Sequence, residues 1–245
     1  MKIKKNKVIF NISNKNDIWY GKIFWQNYSN WENQLFNTIK NHVTKNDVFI
    51  DIGAAIGAVC FYASYFSHKV YAIEPHHSIF GLLKKNLNLN RGIKNLKIFN
   101  CAIHNKNSVV KHKINNIFSP INFHKTYGEP KKIDVYSLPF FFKKNKINPK
   151  NAFVKIDIEG GEFGLLSNDN FINFLKKNNI RAYISLHFNF FPNQNYINRL
   201  KEFIIAYNFI FKFKNVEING AKTSGLRVFF SINPLRINGD VFVYD

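Results

Sequence analysis

Only 15 of the 245 residues are acidic, against 35 lysines and arginines, and five of those acids, Asp51, Glu74, Asp157, Glu159 and Glu162, fall where apolar runs end. Carboxylates brought together raise one another's pKa, and such gatherings serve a bound cation, a metal or a catalytic proton. Glu162 has a plainer role open to it, because an acid at a helix start answers the helix dipole. His187 closes the apolar run at residues 182–186 and is, with Asp157, the candidate base for taking a proton; a lone strand histidine serves equally as a structural residue. Asp157 and Glu159, two apart, would share one strand face, and their hard oxygens suit Mg²⁺. A divalent metal there is compatible with the sequence and not required by it.

Residues 48–52, VFIDI, run from apolar positions into an acid and are followed by Gly53, Ala54 and, four residues after the first glycine, Gly57, which opens a stretch rich in helix formers. This reads as strand, tight turn, helix. A turn at a helix N-terminus is expected to present N–H groups to whatever is bound. Residues 70–74, VYAIE, repeat the pattern with Glu74 and stop at Pro75. A right-handed crossover lays the two strands side by side, so Asp51 and Glu74 leave the sheet at one edge, where Glu74 can accept both hydroxyls of a ribose. The turn is D-x-G-x-x-x-G, not the G-x-G-x-x-G of a dinucleotide site, and its acid repels a pyrophosphate while welcoming a cation. S-adenosylmethionine, with a ribose, a sulfonium, an ammonium and no phosphate, fits this pattern better than NAD. An ordinary parallel-sheet turn is the plainer alternative.

Helical spacing of Leu35, Phe36, Ile39 and Val43 predicts a helix over 31–43 with Glu32 at its start, and a second over 79–89. A strand at 96–99 is expected to continue through Asn100 and Cys101 to Ala102 and Ile103, which would cover an adenine face or simply be buried. Residues 104–130 read as a polar loop or flap. Its His104, His112 and His124 match no zinc spacing. Strands are expected at 133–138, 153–156 and 181–188, a short helix at 139–142, a helix at 195–207, and a hairpin pairing 209–213 with 226–232 near a sheet edge. Before residue 31, strands are expected at 8–12 and 18–24, and the aromatics Trp19, Tyr20, Phe24, Trp25, Tyr28 and Trp31 are interleaved with Asn and Lys; such a cluster stacks bases or caps a sheet.

The length suits one α/β domain. Two cysteines, Cys60 and Cys101, are too few for a disulfide scaffold. No run is long enough to cross a membrane and no signal peptide is evident, which predicts a cytoplasmic protein. The net charge of +20 invites a nucleic-acid partner, but the lysines are scattered, and a generic basic surface accounts for them.

Taken together, V-F-I-D-I-G-A-A-I-G, V-Y-A-I-E-P, N-L-N-L-N, N-C-A-I and V-K-I-D-I-E-G-G-E resemble the FkbM-type S-adenosylmethionine-dependent methyltransferases from about residue 31 to about 187. The last motif is the more particular to that group. The resemblance implies a class I, Rossmann-like fold with a seven-stranded, mostly parallel sheet and an antiparallel strand near one edge. Residues 1–30 would be an extension and 31–245 the methyltransferase domain. It implies methyl transfer to a hydroxyl oxygen of a small molecule or glycan. Asp51, Gly53, Ala54 and Gly57 match the methionine side, Glu74 and Pro75 the ribose side, and Asn100, Ala102 and Ile103 the adenine side. Glu32 matches an acid ahead of the opening helix, and Asp157 is shared between cofactor and acceptor. Ala55 stands where the family usually has Asn, and Gly161 where it usually has Ala. An RNA methyltransferase and a non-enzymatic nucleic-acid-binding protein are the alternatives, although no D-P-P-Y or N-L-P motif is present. The sequence leaves the oligomeric state open.

Overall fold

A computed structural model describes residues 1–5, 8–12, 22–112, 131–188, 196–223 and 238–245. The chain forms two compact units, Met1–Asn100 and Cys101–Asp245.

The first unit begins with an antiparallel pair, β1 (Lys2–Lys5) and β2 (Val8–Asn11). Helix α1 (Lys22–Asn27) follows, where a strand had been expected over 18–24; residues 18–21 lie outside the described residues. Trp25 and Tyr28 are both buried, and their three-residue spacing is that of a helix face, a signal that a window ending at residue 24 cuts off. After α2 (Asn33–His42) come β3 (Val48–Ile52), α3 (Ala58–Ala63), β4 (Lys69–Ile73), α4 (His77–Leu89) and β5 (Leu96–Phe99). Strands β3, β4 and β5 are parallel in that order, with Asp51 opposite Ala72 and Ile73 opposite Phe99. The near-continuous apolar sequence of β3 and β4 is what a strand covered on both faces requires.

Trp25 and Tyr28 of the aromatic cluster are core. Tyr28 has no exposed surface; it stacks on Trp31, meets Phe10 and Phe36 edge-on, and its hydroxyl donates to the Ala58 carbonyl at 2.6 Å. Lys5 is buried beside it and donates to the carbonyls of Tyr28, Ser29 and Trp31 and to Asn33 Oδ1, at 2.6–3.0 Å. Trp19 and Tyr20 lie outside the described residues.

In the second unit β6 (Ala102–Ile103), β7 (Ser108–His112) and β8 (Lys131–Tyr136) make a small sheet in the order β6-β8-β7. Two expectations are corrected here. The strand ending at Phe99 does not run on to Ile103, whose segment pairs instead with Val135 and Tyr136, and residues 108–112 are strand, not loop. His124 lies outside the described residues.

The unit continues through α5 (Leu138–Lys144), β9 (Phe153–Ile156), α6 (Glu162–Leu166), α7 (Asp169–Lys177), β10 (Arg181–His187), α8 (Tyr196–Ile210), β11 (Asn215–Ile218), β12 (Ala221–Thr223) and β13 (Asn238–Tyr244). The order β12-β11-β13-β10-β9 has β9 and β10 parallel, β13 antiparallel to both β10 and β11, and β12 antiparallel to β11. Among the described residues the large sheet has eight strands, mixed in direction, where seven mostly parallel strands had been expected. The expected hairpin is also displaced: residues 209–210 end α8, residues 226–232 are outside the described residues, and the hairpin is β11–β12. Its turn is Asn219-Gly220, with φ of 49° and 76°, the left-handed pair that suits a two-residue hairpin.

Candidate active site

In the first unit the turn after β3 is tied down by its own backbone. Gly53 and Ala54 N–H both donate to the Ile73 carbonyl at 3.0 Å, and Gly57 N–H to the Ala54 carbonyl at 2.9 Å. Ala55 N–H donates to Glu74 Oε2 at 3.0 Å, and His76 N–H to the other oxygen at 2.8 Å. The free N–H array expected of this turn is therefore largely satisfied internally, unlike a phosphate-binding loop, where such groups meet the ligand. Asn100 Nδ2 donates to the Glu74 and Pro75 carbonyls at 2.8 and 3.0 Å and fixes the chain beyond β4. Asp51, with no exposed surface, ends this strand pair. Gly57 has φ 102°, and a Cβ there would come within 2.4 Å of the Phe61 ring, so no other residue fits.

Asp51, Gly53, Ala54, Gly57, Glu74, Pro75 and Asn100 thus surround the ends of β3 and β4. Glu32 stands apart at the start of α2, in a left-handed conformation with φ 44°, where its charge acts on Lys5. Ala102 and Ile103 belong to the second unit, Ile103 buried.

That unit brings four of the expected residues together. His187, the last residue of β10, places Nδ1 3.1 Å from Glu162 Oε1, and Nε2 3.7 Å from Asp157 Oδ1 and 3.5 Å from Glu159 Oε2. Glu162 is fully buried, and its two oxygens accept the N–H groups of Ile158 and Gly160, both at 2.8 Å. Glu159 can turn back toward the imidazole because its φ is 54°, with Gly160 following at 97°; this left-handed pair is why the D-I-E-G-G-E run needs a glycine. Lys155, nearly without exposed surface, places Nζ 3.4 Å from Asp157 Oδ2.

Burial opposes charge on His187, but the Glu162 hydrogen bond and the Asp157, Glu162 and Glu159 charges overcome it and raise the imidazole to about 9. Burial pushes the Glu159 carboxyl up, against the pull of His187. Asp157, Glu162 and His187 offer ligand atoms within 4.8 Å of one another. The Glu162 oxygens there also accept two N–H groups and face the imidazole.

One neighbour was absent from the sequence reading. Asp240 on β13 is opposite Ser185 of β10 and accepts its hydroxyl at 2.9 Å; burial raises its carboxyl, and Asp157 adds to the rise. Only the antiparallel register brings it there, and no local motif marks it.

Comparison with known proteins gives the same frame. The family model of the methyltransferase FkbM domain matches residues 51–211. None of the curated proteins matches. Among solved structures, the methyltransferase FkbM from Methylobacillus flagellatus KT is similar with 16% identity and a TM-score of 0.50, over 82% of this chain and 44% of that one. This chain therefore spans less than half of that protein. A Streptococcus mutans protein in complex with SAH aligns with 13% identity and a TM-score of 0.49, over 85% and 94% of the two chains. The M. jannaschii tRNA m1G37 methyltransferase aligns with 16% identity and a TM-score of 0.45, over 100% and 56%. The likeness to the first of these is one of fold; the family model, which covers most of the length, carries more, and by it the chain belongs to the FkbM methyltransferase family.

Proposed function

We propose that the chain moves the methyl group of S-adenosylmethionine to a hydroxyl oxygen of a small molecule or glycan. The observation that carries this reading is the carboxylate–imidazole group of Asp157, Glu159, Glu162 and His187, which offers proton acceptors where enzymes acting on amines carry D-P-P-Y or N-L-P. In the first unit, Glu74 takes the ribose hydroxyls, Asp51 attracts the cationic methionine end, and Gly53, Ala54 and Gly57 admit it closely. Pro75, Asn100, Ala102 and Ile103 serve the adenosine.

The hydroxyl oxygen attacks the methyl carbon in line, the S–CH₃ bond breaks as the O–CH₃ bond forms, and the sulfonium becomes a thioether. Alignment supplies most of the acceleration. The hydroxyl proton passes to Asp157, the proposed catalytic base. His187 is charged at neutral pH and has no lone pair for that proton; its role in this reading is to hold Asp157 and Glu159 in place.

Calorimetry with S-adenosylhomocysteine, set beside an RNA mobility shift at two salt concentrations, tests the reading. Micromolar cofactor binding without an RNA shift supports it. A salt-resistant RNA shift instead supports an RNA methyltransferase, the reading the +20 charge favours. An RNA shift with no cofactor binding supports a non-enzymatic binding protein.

A further inference from the structure

The second unit contains a cavity of about 650 Å³ between α7, the turn joining β6 to β7 and the start of α5. The ionisable side chains lining it, His104, Lys106 and Lys177, are all bases. Two of its five asparagines are anchored as well. Asn107 Oδ1 accepts the Ser137 N–H at 2.8 Å, and Asn168 Oδ1 accepts the Phe171 N–H at 3.0 Å as the cap of α7. A side-chain amide whose oxygen accepts a backbone N–H is held in place and keeps both NH₂ donors, with one oxygen lone pair, for a ligand. These amide NH₂ groups and the basic side chains stand beside an apolar floor that includes Phe174, whose ring is held edge-on by Phe142 at 5.3 Å.

We propose that this cavity binds a sugar phosphomonoester. The phosphate would meet Lys106 and Lys177, where charge-assisted hydrogen bonds are strongest. The hydroxyls would accept from Asn107 and Asn168, and the C–H face of the ring would lie on Phe174. Few convergent polar groups over an apolar surface is the usual build of a small-molecule site. The cavity also touches the helix that carries Glu162: a Cβ on Gly164 of α6 would lie 3.2 Å from His104 Nε2, so the cavity wall and the His187 network share one short helix. The binding proposal stands independently of the methyl-transfer reading.

Calorimetry on the full chain with glucose 1-phosphate, inorganic phosphate, glucose and adenosine 5′-monophosphate tests it. The sugar phosphate should bind about tenfold more tightly than phosphate, glucose should give no heat, and Lys106→Ala and Lys177→Ala should each weaken the sugar phosphate about fivefold. Both lysines are exposed, so S-adenosylhomocysteine binding should be unchanged in the variants. No heat with the sugar phosphate at millimolar concentration overturns the proposal. So does inorganic phosphate binding as tightly, the nucleotide binding more tightly, or affinity that neither substitution alters.

Discussion

Nδ1 of His187 lies 3.1 Å from Oε1 of Glu162, a carboxylate with no exposed surface. A buried carboxylate is costly unless its lone pairs are met, and this one meets two backbone N–H groups and the imidazole. Charge on the ring is thus favoured by the fold itself, not by solvent.

Stability should therefore fall as pH rises through the alkaline range. The folded-state pKa of His187, about 9, lies above its ordinary 6.5, so the folded protein holds the proton more tightly than the unfolded chain. The contribution is complete below 6.5 and lost as pH passes 9. Its size is about 3 kcal/mol, or roughly 10 °C in melting temperature. Circular-dichroism melts at pH 6.5 and 9.5 check this, with His187→Gln expected to flatten the difference relative to the parent.

Glu162→Gln should destabilise the protein by about 3 kcal/mol, because the new NH₂ must face either the Ile158 or the Gly160 N–H, donor against donor. Urea unfolding reads the loss. The His187 proton resonances should titrate at lower pH in the variant; an unmoved titration would mean that Asp157 and Glu159 alone hold the charge.

Asp157→Asn should lower kcat by roughly a hundredfold or more while S-adenosylmethionine still binds, as removal of a general base does. Excess EDTA should leave the parent rate intact, because the imidazolium already occupies the centre of the acids. Initial rates with S-adenosyl-[methyl-³H]methionine and calorimetry for the cofactor measure both.

Much of this arrangement was legible because it rests on local patterns. The β3–α3 and β9–α6 turns pair an apolar strand with glycines whose left-handed φ the sequence announces, and His187 ends its strand where periodicity put it. The elements that were misplaced depend on pairing over distance. Residues 102–103 continue an apolar run, yet their hydrogen bonds go to Val135 and Tyr136. β13 is recognisable as a strand only once β10 and β11 are there to receive it. Asp240 reaches the acids through that register and no other route, and Lys5 looked like one more surface lysine until the carbonyls of the 28–31 turn closed around it. The Asn219-Gly220 dipeptide was readable and outweighed by the aromatic alternation at 209–213, which spans the end of α8 and the turn after it.

Ala55→Gly should stabilise the fold by about 1 kcal/mol, since Ala55 sits at φ 48°, where a Cβ is strained and glycine is not. Asparagine, the residue usual in the family at this place, should recover part of that gain. Chemical unfolding of the two variants beside the parent measures it. The Ala55 N–H bond to Glu74 survives either change, so cofactor affinity should hold or improve.

Lys5→Met should cost about 3 kcal/mol even though it removes one lysine among many. The Lys5 ammonium answers three carbonyls and the Asn33 amide oxygen, and it lies 4.5 Å from the Phe36 ring centroid. Burial lowers its pKa while the charge of Glu32 works to hold it up. Methionine fills the space but leaves those acceptors without a donor, and buried acceptors stripped of partners carry the full desolvation penalty. Because Tyr28 reaches from the same turn to the Ala58 carbonyl at 2.6 Å, next to Gly57, the loss should spread to the glycine turn. Cofactor affinity should weaken in Lys5→Met and stay intact in Lys4→Met, whose side chain is exposed. Equal affinities in the two variants would show that the turn holds its shape without the lysine.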